Sequence, residues 1–150
     1  IFDIALEHIL LDGNNVGSDW EDDDYTAHLL TNAWAPTDAQ ESWTNMLTAS
    51  AAEASGEGYS DAGIELGSKT LGGTGTKYLD SAEINFGATV TVTAKYLVVF
   101  KKAAGDLSGA HVPFFYIDLN TDTTSADVSS TSGTFKVTPE ANGWLSFNQA

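Results

Sequence analysis

Residues 89–94 alternate strictly, with Val90, Val92 and Ala94 on one side and Thr89, Thr91 and Thr93 on the other. The alternation then gives way to an unbroken apolar run from Tyr96 through Leu97, Val98 and Val99 to Phe100. The first pattern is that of a strand with one face covered, the second that of a strand covered on both. Nearly every residue is β-branched or aromatic, the types that fit a pleated, packed surface. Residues 89–102 therefore predict a long central strand and a sheet protein with a substantial core.

The same reading extends along the chain. Phe2, Ala5, Leu6 and Ile9 recur at spacings of three and four, which predicts a short amphipathic helix stopped by Asp12 and Gly13. After a polar, acidic loop over 14–23, residues 25–31 read as a strand. Trp34, Ala35 and Pro36 form a turn, and Thr37 with Gln40 has capping-box spacing for a short helix ending near Leu47. Residues 55–60 form a Gly-rich loop. Further strands are predicted over 64–71, 78–86, 112–119, 134–138 and 144–148. Between them stand Gly72-Gly73, Gly87, Gly105, the Ser/Thr/Asp run 120–134, and Asn142-Gly143, a pair suited to a tight hairpin turn with positive φ at both positions. The expected fold is mainly β: an antiparallel β-sandwich or barrel of about seven strands with a short N-terminal helix. It occupies one domain over residues 1–150, with the helix in 1–13 and the β-domain in 25–149.

Charge narrows the function classes. Six lysines and no arginine stand against 21 acidic residues, a formal charge of −15. Phosphate contacts need cations, so nucleic acid is excluded as a main partner. The longest apolar run, 96–100, falls far short of the ~20 residues of a membrane-spanning helix. Residues 1–11 are too short and too acidic for a secretory signal and lack a basic start. Cysteine is absent, which removes disulfides and thiolate metal sites.

Candidate chemistry is sparse. Asp118, Asn120 and Asp122 place oxygen ligands at alternate positions, as the first half of a calcium loop does. Thr123 and Ser129, however, stand where that loop needs its glycine and its bidentate Glu, so a strand end running into an Asx-type turn is favoured. Asp12, Asn14 and Gly17 repeat the fragment and fail at Val16, and Asp22-Asp23-Asp24 reads as a solvated turn. His8, His28 and His111 are isolated in sequence; His28, within a strand, reads as a structural histidine. No G-x-S-x-G elbow supports a nucleophile. Gly72, Gly73 and Gly75 lack the Lys-Ser/Thr of a phosphate loop. Trp20, Trp34, Trp43 and Trp144 fit either a sugar-stacking platform or core packing, with packing favoured. The chain thus shows much scaffold and little chemistry, which points to a binding or structural part rather than an enzyme, with no cofactor and no metal.

Taken in order, the elements resemble a known family. They are residues 28–37 (HLLTNAWAPT), 54–64 (ASGEGYSDAGI), Lys69-Thr70, 92–101 (VTAKYLVVFK), 115–119 (FYIDL), 135–137 (FKV) and 142–145 (NGWL). This series resembles a family of small virion proteins of tailed bacteriophages, whose members carry LLTSAYTP, EVSGTGYTAGG, TARYAVIYK and YIDF elements and a terminal AAGILTL-like strand. The most specific part is the S-G-x-G-Y-x-x-x-G element at 55–63 combined with the strand at 93–101. Departures fall in the 14–24 loop and the 71–75 turn, and Lys95 stands where an Arg is usual. The resemblance implies a non-enzymatic structural part of the virion, best placed as a capsid decoration or cement protein on the outer face of the shell. The implied partners are the major capsid protein and copies of the chain itself, as a homotrimer. An acidic surface is comfortable away from the packaged genome. A tail, baseplate or fibre component is the alternative within the class, and a carbohydrate-binding module the alternative outside it. Lys101-Lys102, the only adjacent cationic pair, reads as a solvated strand end, with contact to an acidic patch on a neighbouring subunit as the second reading.

Overall fold

A computed structural model describes residues 20–21, 24–37, 52–74, 76–102, 111–120 and 126–148. The helices expected over 1–13 and 37–47 lie outside those residues, or almost entirely so. The described residues form nine strands rather than about seven: β1 (Tyr25–Leu30), β2 (Ile64–Glu65), β3 (Thr70–Gly72), β4 (Thr76–Asp80), β5 (Ile84–Ala94), β6 (Tyr96–Lys101), β7 (Val112–Asp118), β8 (Val128–Val137) and β9 (Leu145–Asn148). All pairings are antiparallel, in sheets ordered β2-β1-β6-β7, β3-β4-β9 and β5-β8. The chain is mainly β, as its patterning predicts.

The strand expected over 89–102 is two strands in two sheets. β5 pairs with β8, whereas β6 lies between β1 and β7. The handover occurs at Lys95, whose N–H donates to the Leu30 carbonyl and whose carbonyl accepts from Leu119, both at 2.8 Å. The change of pattern in the sequence marks this corner. The alternating half has one covered face in a two-stranded ribbon, while Tyr96 through Phe100 are all buried in the centre of a sheet. A strand that changes sheets needs a bend of this kind.

Other differences follow from local chemistry. The expected 64–71 strand breaks at Gly67 and Ser68, where Ser68 takes φ 52°. The 78–86 strand breaks at Ser81, whose N–H turns back to Asp80 Oδ1 at 2.9 Å. Gly87 is a bulge inside β5 instead of a turn: its φ is 136°, and the register jumps between Asn85 and Gly87. β8 begins at Val128, inside the run expected to be loop. Its hydroxyls support the pairing, because Thr93 Oγ1 lies 2.9 Å from Ser129 Oγ and Ser132 N–H donates to Thr91 Oγ1 at 3.0 Å. Asn142-Gly143 does turn the chain, with Gly143 N–H donating to the Glu140 carbonyl. Gly143 alone of the pair has positive φ, and the flanking β8 and β9 pair with different partners, so no tight hairpin forms there.

One hydrophobic cluster draws on all three sheets, including Leu29 (β1), Leu79 (β4), Phe86 and Val92 (β5), Phe100 (β6) and Phe114 (β7). Indoles tie its edges. Trp20 donates to the Asp80 carbonyl at 2.8 Å and stacks on Phe114, while Trp144 donates to Ser81 Oγ at 2.8 Å. Buried rings with a satisfied N–H supply both area and orientation.

Candidate functional site

The glycine element, one of the two most specific parts of the resemblance, lies against β5 at Thr89 to Val92, just before the other part begins at Thr93. Residues 52–54 run beside the end of β1, with Thr31 N–H on the Ala52 carbonyl and Ala54 N–H on the Leu29 carbonyl. The chain then folds over as the glycine loop and lies against β5, where Thr91 N–H donates to the Glu57 carbonyl at 2.8 Å. A Cβ on Gly56 would stand 1.8 Å from the Thr91 carbonyl oxygen, and one on Gly58 would stand 2.7 Å from that of Thr89. These glycines are required because backbone approaches backbone too closely for a side chain. The loop acts as a buckle that fastens β1 to β5.

A partly buried polar network holds the buckle. Tyr59 Oη donates to Glu53 Oε1 at 3.2 Å and accepts from Leu29 N–H at 3.1 Å, and its ring stacks on Phe86. His28 Nδ1 lies 3.0 Å from the same Glu53 oxygen. A carboxylate only accepts, so this contact calls for the proton on Nδ1. Gly63 packs over the His28 ring, where a Cβ would meet Nε2 at 2.5 Å. His28 is therefore buried and bonded, in keeping with its reading as a structural histidine.

Burial pushes the Tyr59 phenol well above its ordinary value; the Leu29 N–H pulls the other way and the Glu53 carboxylate adds to the rise. In the unfolded chain this phenol ionises near pH 10, while in the folded chain it keeps its proton to higher pH. Above about pH 10 the folded state binds more protons, so stability is intact below that pH and falls as pH rises beyond it. Tyr59→Phe should cost about 1–2 kcal/mol at neutral pH by leaving polar partners unmet. It should also flatten the alkaline fall in melting temperature; equal slopes for both proteins would contradict this placement of Tyr59.

The remaining candidates divide plainly. Asp118 Oδ1 accepts Asn120 N–H at 3.0 Å, an Asx turn, and Asp118 Oδ2 lies 3.1 Å from Lys95 Nζ. Lys95, 8% exposed, also lies over the Tyr96 ring. Asn120 donates to the Ala126 carbonyl. Asp118 is thus engaged at the corner of the fold, and Asp122 and Thr123 lie outside the described residues. So do Asp12, Asn14, Gly17, Asp22, Asp23, His8 and Trp43. Asp24 contributes its carbonyl to Lys102 N–H, and Lys102 Nζ stands 3.9 Å from Glu65 Oε2. His111 is buried. Gly72 and Gly73 shape the β3–β4 hairpin, where Tyr78 covers Gly72. Trp20 and Trp34 are buried, the latter edge-on to Tyr96 and Tyr116, so neither offers a face to a sugar. Trp144 is half-buried near Phe115.

Among the described residues no cluster of His, Cys, Asp or Glu is arranged to hold a metal ion, and no helix is long and apolar enough to cross a membrane. No protein-family model, no curated protein and no solved structure matches the chain.

Proposed function

We propose that the chain is a non-enzymatic structural part of a tailed-phage virion, a decoration or cement protein seated as a homotrimer on the outer face of the major capsid shell. We read its sheets, stacked about one cluster, as the sandwich form of that part. The observation that carries the reading is the buckle. The glycine element at 55–63 is fastened to β5 through Thr91 and Glu57, and β5 runs directly into residues 93–101, the other part that carries the family resemblance, which crosses to β6 at Lys95. Charge supports an exterior seat, since a surface of −15 is repelled by packaged nucleic acid.

The mechanism is mass action. A part that binds the assembled shell and not its dissociated subunits stabilises that state by an amount set by its concentration relative to Kd. Many copies on one lattice gain further through avidity. Particles lacking this protein should therefore burst at lower temperature and under milder osmotic shock, and adding the purified chain back should restore them. Equal resistance with and without it would overturn the cement reading.

A further inference from the structure

The β3-β4-β9 sheet carries apolar side chains past the end of the core. Leu71 pairs with Leu79 and Leu79 with Leu145, and one step outward Lys77 pairs with Phe147. Opposed residues share a face, as do alternate residues along a strand, so these five lie on one side of the sheet. Leu79 is buried, yet Leu71 is 51% exposed and Phe147 41% exposed, the two large exposed hydrophobics among the described residues.

Two cations accompany them. Lys77 Nζ donates to the Gly73 carbonyl at 2.9 Å, and Lys69, two residues before Leu71, donates to the Leu66 carbonyl at 3.4 Å. The lysine–carboxylate pairs among the described residues use Lys95, Lys102 and Lys136 instead. Lys69 and Lys77 thus flank an apolar patch in a chain whose balance is −15, and they outnumber the one carboxylate seen there among the described residues, Glu21, whose Oε1 stands 3.5 Å from the Leu71 N–H.

The complement lies on the same molecule. Glu57 and Asp61 are exposed on the glycine loop, and neither joins a lysine among the described residues. We propose that the patch of Lys69, Leu71, Lys77 and Phe147 docks onto the Glu57 and Asp61 loop of a second copy of this chain. The contact joins two different surfaces head to tail, a geometry that closes into a ring when the rotation permits. Two apolar side chains fall short of the roughly 800 Å² per partner that a stable complex buries, so the contact is weak in dilute solution. It counts where copies are held side by side on a lattice. This deepens the self-association part of the reading above and separates from the shell part: particle binding can fail with the self-contact intact, and the reverse.

Sedimentation equilibrium of the intact chain tests it, from dilute solution to the highest soluble concentration, at about 0.05 M and about 0.5 M salt. The average mass should rise with concentration at low salt and less so at high salt. Lys69→Glu with Lys77→Glu, Leu71→Ser with Phe147→Ser, and Glu57→Lys with Asp61→Lys should each weaken association at least tenfold while melting as cooperatively as the parent. Mixing the first and third variants should restore it, because each then offers the other a complementary surface. A parent that stays monomeric throughout would overturn the proposal, as would variants that associate as strongly as the parent. A monomeric parent that still needs Leu71 and Phe147 to bind capsids would assign the patch to the shell instead.

Discussion

Phe100→Ala should destabilise the protein by about 3–5 kcal/mol, the range for removing a buried aromatic ring from a core. Phe100 is fully buried in β6, between β1 and β7, with its ring perpendicular to that of His28. No solvent-facing side exists into which the neighbours could relax, so the cavity stays and lost contacts add to lost transfer free energy. For a chain of this size the melting temperature should fall on the order of 10 °C. Thr93→Ala, on the exposed side of β5, gives up a hydroxyl contact with Ser129 and should cost less than about 1 kcal/mol. Urea unfolding of the two variants measures the contrast directly. Equal losses would mean that the two halves of residues 89–102 are not covered differently.

Gly56→Ala should cost about 3 kcal/mol or more, because its Cβ would stand 1.8 Å from the Thr91 carbonyl oxygen and 2.9 Å from its carbon. Both are backbone atoms of a strand, so no side chain can swing aside. The loop must lift from β5, losing the Thr91–Glu57 hydrogen bond and straining the Tyr59 anchor. Gly67→Ala is the matched control. Nothing lies within 4 Å of its Cβ position, and the substitution should stay within about 1 kcal/mol of neutral. If both alanines are tolerated alike, the buckle does not fasten β1 to β5 as described.

The switch from alternation to continuous apolarity at Lys95 was legible, since the covering of each face is written into the residues themselves. That the switch is a change of sheet was not, because nothing near Lys95 names its partners Leu30 and Leu119. The breaks at Gly67-Ser68 and at Ser81 hid for a related reason: apolar flanks such as Leu66 and Leu79 continue the strand pattern across them. The end of β8 over 134–137 was legible, with Phe135 and Val137 packed on the core, but its first part over 128–133 was not, because its Ser and Thr residues look like loop. At the site, the spacing Gly56, Gly58, Tyr59, Gly63 was visible as a motif. Its cause was not, because the close approaches belong to β5 for Gly56 and Gly58 and to His28 of β1 for Gly63, each more than thirty residues away in the chain. The network of His28, Glu53 and Tyr59 likewise joins residues from separate elements, and the histidine inside a strand was its only local signal.

Copy number on purified virions tests the central claim most directly. Quantitative protein analysis of intact particles should find this chain in a number that scales with the count of major capsid subunits. A few copies per particle would move it to the tail or baseplate, and its absence from particles would contradict the virion reading altogether.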